Sequence, residues 1–256
     1  MEELDALLEE SLRKASGQGK KKIADEVRDV IGSIGVVCKE SVARIEAQTS
    51  KIVANVSSEV EAARAEFLGE TEEARHKIES LMENPSQQRT VELLSSMISE
   101  TSYLSLGRMS KCAEKAIQNI RSEASNAIVD LRKQVADSYK KFRGMAAQAA
   151  DNIRERVEKA ASQYDTSKKK NDDKETRQKL KDEAHKIIAE AEIASNMIEE
   201  AKAKTVKDIN DAMEIASERI EKAQADAARD IHDAKENAEA KLHEMAQDAL
   251  DRLKAG

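Results

Sequence analysis

A large apolar residue recurs at every eleventh position through almost the whole chain. The first column of such positions comprises Ile23, Ile34, Ile45, Val56, Phe67 and Ile78. The second comprises Ile98, Met109, Ile120, Leu131, Phe142, Ile153 and Tyr164. The third comprises Ile187, Ile198, Ile209, Ile220, Ile231, Leu242 and Leu253. Eleven residues over three turns is about 3.67 residues per turn, slightly more than the 3.6 of an α-helix, so the apolar stripe drifts slowly. The pattern therefore predicts an all-α fold of very long helices, packed as a right-handed, nearly straight coiled coil or as an elongated helical bundle.

Three breaks in this pattern divide the chain. Gly17-Gln18-Gly19 interrupts it first. Asn84-Pro85-Ser86 then combines a good N-cap with a proline suited to the first helical position, and therefore predicts the end of one helix and the start of the next. A polar run from 165 to 174 shifts the column by one residue, and Asp172 with Glu175 has the spacing of a capping box. The predicted organisation is a short amphipathic helix at 1–16, coiled-coil segments at 20–84, 85–165 and 175–255, and a hinge at 166–174.

The composition favours long helices over a globular domain. Charged residues make up 36% of the chain and aromatic residues 2%, with one proline and no tryptophan. A long helix that buries only one stripe has such a composition. A disordered chain can be equally charged, but it has no reason to place isoleucine on a strict repeat.

Charge and cysteine usage limit the compartments and partners. The net charge of −7 comes from interspersed signs, so we expect no nucleic-acid partner. No apolar stretch approaches the length of a membrane span, and the acidic N-terminus does not resemble a signal peptide. Cys38 and Cys112 are isolated thiols, which indicates a reducing cytoplasm.

No motif in the sequence indicates catalysis. The four histidines are His76, His185, His232 and His243, and no two of them have the spacing that places metal ligands on one helical face. The chain contains no glycine-rich phosphate loop, nucleophile elbow or Cys-x-x-Cys pair. We therefore expect no catalytic residue, no cofactor and no metal site.

The first sixteen residues form a candidate docking element. Leu4, Leu7, Leu8 and Leu12 fall on one face of a short amphipathic helix that the Gly17–Gly19 stretch tethers to the rest. A helix of this length is marginal alone and gains stability by laying its apolar face into a groove of a protein partner. The alternative is a cap that folds back on the chain's own bundle.

The third segment resembles a known family. The Ala-rich runs at 189–194, 198–203 and 223–230 are similar to peripheral-stalk subunits of rotary ATPases, in which eleven-residue repeats build a right-handed two-helix stator. The resemblance covers residues 187–256. The chain departs from the family because it has no N-terminal membrane helix like that of the bacterial subunit, no C-terminal globular head, and a greater length than the soluble archaeal subunit.

Three functions fit this sequence. The first is a non-catalytic scaffolding protein that forms a homo-oligomer and spaces or tethers a partner, because a narrow seam cannot stabilise a long helix by itself. We favour self-associating extended segments over a chain that folds back into a bundle. The second function is a stator-like stalk component. The third is a coat on a lipid or granule surface, which the Ala-rich stripe and the lack of aromatic anchors and of a basic flank make the weakest of the three.

Overall fold

Three α-helices contain almost every residue that the structure, a computed structural model, describes. Helix α1 is Glu2–Glu83, α2 is Val91–Lys170 and α3 is Lys174–Ala255. The described residues are 2–83, 90–170 and 174–255; side chains are described within these from residue 21 onward, except at 160, 161, 163–170, 176, 177 and 180. No strand occurs within these ranges, so the all-α prediction is confirmed.

The chain forms two compact units, and each contains a stretch of all three helices. Unit 1 comprises Met1–Ile45 and Arg132–Glu214, and unit 2 comprises Glu46–Leu131 and Ile215–Gly256. Within each unit the seam of one helix is covered by the other two helices of the same chain. The preference for extended segments over a folded-back chain was therefore wrong: the apolar stripe that needs a partner finds it in the chain's own neighbouring segments. Self-association stays a prediction.

Cross-helix hydrogen bonds fix the register in unit 1. Asn152 Nδ2 and Arg156 on α2 donate to the Glu26 carboxylate on α1, at 2.6 and 3.0 Å. Further along α1, the Ser41 hydroxyl lies 2.7 Å from that of Ser138. Residue numbers therefore rise along α1 in the direction in which they fall along α2, so the two helices are antiparallel.

Unit 2 has the same antiparallel arrangement of α1 and α2. Three cross-helix hydrogen bonds set its register: Asn55–Glu123, Glu66–Cys112 and Glu70–Arg108. The step from Asn55 to Glu66 and the return step from Glu123 to Cys112 both equal one eleven-residue repeat. Helix α3 is tied to α1 by an ion pair between Arg64 and Asp230 at 3.4 Å.

This register brings the large apolar residues of the three columns to common levels, with one residue from each helix. Three levels in unit 2 are fully buried: Val56 with Ile120 and Ile220, Phe67 with Met109 and Ile231, and Ile78 with Ile98 and Leu242. In unit 1, Ile34, Phe142 and Ile198 are buried at one level, and at the next Ile23 and Ile153 are buried beside a half-buried Ile187. Ile45, Leu131 and Ile209 are also buried, whereas Leu253 is half-buried. Each fully buried side chain of this size stabilises the fold by about 1.5–3 kcal/mol.

The predicted break after residue 16 is wrong. Helix α1 is continuous from Glu2 to Glu83 and includes Gly17, Gln18, Gly19 and the lysines that follow. One glycine inside a helix costs only about 1 kcal/mol relative to alanine. Because helix propagation is cooperative, two glycines do not end a helix that has good helix formers on both sides.

The helix start predicted at Asn84 and Pro85 stays a prediction. Helix α2 begins at Val91, and its N-cap is Thr90, whose hydroxyl accepts a hydrogen bond from the Leu93 backbone N–H at 3.3 Å. Asn84 and Pro85 lie outside the described residues. A threonine five residues after Pro85 caps the described part of α2.

The hinge predicted at 166–174 is helical at each of its described residues. Residues 166–170 belong to α2, and α3 begins at Lys174. Asp172, the first residue of the expected capping box, lies outside the described residues. The polar character of 165–174 misled the prediction because a solvated helix turn needs no apolar residue when its neighbours supply the packing.

Candidate functional site

Seven polar residues occupy buried positions in the helical seams. They are Ser41, Thr49, Thr71, Ser102, Ser105, Ser138 and Thr205. Several of the hydroxyls donate to the carbonyl four residues earlier in their own helix, as Thr71 does to Phe67 at 2.8 Å and Ser102 does to Ile98 at 3.1 Å. Every described buried side-chain nitrogen or oxygen has a hydrogen-bond partner. These residues therefore stabilise the packing without leaving an unsatisfied group for a ligand to contact.

The Ser41–Ser138 pair opens a groove between α1 and α2 in unit 1. Both serines stand where other repeats of the same columns carry Val30 or Ile52 on α1, and Ala127 or Ala149 on α2. A cavity of about 390 Å³ adjoins the two serines and is lined also by Arg44, Gln134, Lys141 and their neighbours. This groove is the candidate binding site of the described structure.

The two cysteines are protonated thiols without a disulfide. Cys38 is buried in unit 1, where burial and then Asp208 raise the pKa of its thiol, while a hydrogen bond with Thr205 opposes the shift. Cys112 in unit 2 donates to Glu66 Oε2 at 3.0 Å. Burial, followed by this contact with Glu66, raises its pKa to about 12. Because the thiolate is the reactive form, neither sulfur is activated as a nucleophile.

Two of the ion pairs that join different helices are partly shielded from solvent. Arg108 Nε donates to Glu70 Oε2 at 2.7 Å, and a second nitrogen of the same guanidinium donates to the buried Ser105 hydroxyl at 3.1 Å. The Glu26 carboxylate of unit 1 similarly accepts hydrogen bonds from both Asn152 and Arg156. Most other ion pairs lie within one helix at three- or four-residue spacing and are exposed, so each contributes well under 1 kcal/mol.

Metal-binding and membrane-spanning features are absent from the part of the chain that the structure describes. No group of three His, Cys, Asp or Glu side chains there could hold a metal ion. His76 and His232 are exposed and lie beside Glu79 and Glu236 of their own helices. None of the helices, over their described residues, has an apolar stretch that could cross a bilayer.

The candidate docking leucines belong to the first turns of α1. Leu4, Leu7, Leu8 and Leu12 all fall within Glu2–Glu83, and their side chains lie outside the described part of the chain. The helix that carries them is continuous with the seam-bearing part of α1.

Sequence reasoning did not find the groove or the cross-helix network. Ser41 and Ser138 each interrupt an apolar column, which is the one signal that could have marked them. Nothing in the sequence paired Ser41 with Ser138, or Glu70 with Arg108, because such pairs depend on the register between helices.

Comparisons with known proteins support the fold. No family model matches the chain, and no curated protein matches it. Among solved structures, a computationally designed three-helix bundle is similar, with a TM-score of 0.56 and 18% sequence identity over 95% of this chain and all of the other. This similarity shows a three-helix bundle. The resemblance to peripheral stalks implied two helices rather than three, and the stalk role stays a prediction.

Proposed function

We propose that this chain is a non-catalytic structural protein of a reducing compartment such as the cytoplasm, which self-associates and spaces or tethers a protein partner. The observation that carries the proposal is the repeated core level of three large apolar residues, one from each helix. A repeat of this kind uses the large apolar residues of the three columns for packing along the helices. Such a chain is suited to holding a fixed separation.

Apolar side chains on the outer faces support self-association. They include Val36, Leu68, Leu93, Tyr103, Leu104, Val129, Ile193, Met197 and Ile215. Tyr103 is 77% exposed and Val129 is 60% exposed. Scattered exposed apolar residues are common in monomers, so the mass in solution is the deciding measurement. Light scattering over the micromolar range should give a multiple of 28.3 kDa, and the mass of a single chain would contradict self-association.

The N-terminal leucines are proposed to bind the partner, and the eleven-residue repeat divides them into two pairs. Leu12 stands one repeat before Ile23, and Leu8 stands two repeats before Val30, so both continue columns of the seam. Leu7 stands two repeats before Asp29, which is exposed, and Leu4 stands two repeats before the half-buried Glu26. From this extrapolation of the repeat we infer that Leu4 and Leu7 contact the partner.

A pair of double variants tests this division. Leu4→Gln with Leu7→Gln should leave the melting temperature unchanged and abolish recovery of a defined partner from native lysate. Leu8→Gln with Leu12→Gln should lower the melting temperature, because polar groups then replace apolar ones at seam positions. If the first variant recovers the same proteins as the wild type, the docking role is wrong. If it also melts earlier, the leucine segment is a cap on the chain's own bundle.

A further inference from the structure

The groove differs from the rest of the surface between α1 and α2 in the charged side chains that meet there. At each cross-helix contact of charged side chains on this surface, a carboxylate on one helix accepts from a donor on the other: Glu26 in unit 1, and Glu66, Glu70 and Glu123 in unit 2. The register set by Ser41 and Ser138 instead brings Arg44 opposite Gln134, and Val37 opposite Lys141. Donors from both helices line the groove here, and Asp137 is the one carboxylate of its lining.

The charges around the groove favour an anion. Arg44, Lys140 and Lys141 line it, with Asp137 as the one acidic side chain of the lining. Arg44 pairs with Glu40 of its own helix at 3.1 Å, and Lys140 lies 3.8 Å from Asp137. Both pairs are exposed, so they are weak and easily exchanged for a stronger partner. Among the described residues, Lys141 has no ion pair.

The floor of the groove is apolar. Ile45 and Val135 line it, and the buried Ser41 and Ser138 hydroxyls are already hydrogen-bonded to each other. The volume of about 390 Å³ lies within the range of small-molecule sites. An occupant must therefore combine a multiply charged anionic group for the rim with an apolar group for the floor.

We propose that this groove binds a small organic phosphate monoester. The phosphate dianion would lie between Arg44 and Lys141, where a guanidinium can donate two hydrogen bonds to two phosphate oxygens and an ammonium adds charge. The organic group would lie on Ile45 and Val135. The phosphate oxygens would accept from Arg44 and Lys141, as the Glu26 and Glu70 carboxylates accept from Arg156 and Arg108 elsewhere on this surface.

A methyl-detected NMR titration of the full chain tests the site, with phenyl phosphate and inorganic phosphate as probes. Phenyl phosphate should shift the Val135 and Ile45 methyl signals saturably and should bind more tightly than inorganic phosphate. Arg44→Gln with Lys141→Gln should weaken the binding of phenyl phosphate about tenfold or more, because two charge-assisted contacts are lost. The matched control is Arg132→Gln with Lys133→Gln, which removes the same charge from exposed positions of α2 outside the groove.

Two further results decide the proposal. Ser41→Val should fill the groove and abolish the shifts while the helical circular dichroism is retained, since Val30 already occupies the same column. Equal weakening by the two charge variants would reveal attraction to net charge alone and overturn the site. The site would also be overturned if inorganic phosphate bound as tightly as phenyl phosphate, or if the methyl signals of Ile45 and Val135 did not shift.

Discussion

At the scale of single residues, position in the eleven-residue repeat decides what a side chain does, and residue type alone does not. Ile215 and Ile220 lie on the same helix of unit 2, five residues apart. Ile215 is 57% exposed, whereas Ile220 is completely buried at a core level with Val56 and Ile120. Hydrophobicity alone would rank the two isoleucines equally.

This contrast gives a matched pair of substitutions. Ile220→Asp should destabilise the fold by about 3–5 kcal/mol, because it places an unpaired charge in an apolar core. Ile215→Asp should change the stability by about 0.5 kcal/mol or less beyond the difference in helix propensity, because the carboxylate stays in water. Urea denaturation followed by circular dichroism measures both. Equal losses in the two variants would mean that the buried column has been assigned to the wrong face.

The apolar columns were visible in the sequence at residue scale, while the polar contacts were not. Every column position with a described side chain is buried or half-buried, because period and burial have the same geometric cause. The Ser41–Ser138 contact and the cations around it depend on how α1 and α2 slide past each other. If α1 were shifted by eleven residues along α2, the apolar columns would still meet but Ser41 would no longer contact Ser138. The eleven-residue period alone therefore could not predict this contact.

At the scale of elements, the helices were predicted better than their ends. Gly17 and Gly19 were expected to end a helix and do not, because two local penalties are smaller than the stability of a long cooperative segment. Pro85 was expected to start a helix and lies outside the described residues, whereas Thr90 caps α2. Helix ends depend on a few hydrogen bonds, so the choice among nearby candidates cannot be read from residue preferences alone.

The cap at Thr90 carries the element-scale prediction. Its side-chain oxygen satisfies the Leu93 N–H, and its carbonyl accepts the first helical hydrogen bond, from Leu94 N at 3.1 Å. Thr90→Ala should therefore lower the free energy of unfolding by about 1 kcal/mol, whereas Thr90→Ser should retain most of it. Chemical denaturation of the three proteins compares them. If serine and alanine prove equivalent, the hydroxyl does not cap α2.

At the scale of the whole molecule, the three apolar columns share one repeat length, so their residues stay level with one another along the helices. In unit 2 the residues at one core level are followed, one repeat along each helix, by the residues of the next level: Phe67, Met109 and Ile231 separate the level of Val56 from that of Ile78. One repeat taken from all three helices at the same level would bring the two flanking levels together. The Glu70–Arg108 contact would keep its register, because both partners lie outside the removed residues.

Coordinated deletion tests this relation between the helices. Removal of 57–67 from α1, 109–119 from α2 and 221–231 from α3 should leave a helical protein with a cooperative melt, lower in stability by one core level. Removal of 57–67 alone takes out a third as many residues, but it displaces the end of α1 by about 16 Å relative to α2 and α3. It also separates Glu70 from Arg108, and the connection to α2 must absorb the shift. The single deletion should therefore lose more stability and more cooperativity than the triple one. Urea denaturation measures both, through the free energy of unfolding and the m-value. A triple deletion that melts without cooperativity, beside a single deletion that folds well, would show that the helices are not held in register by the common levels.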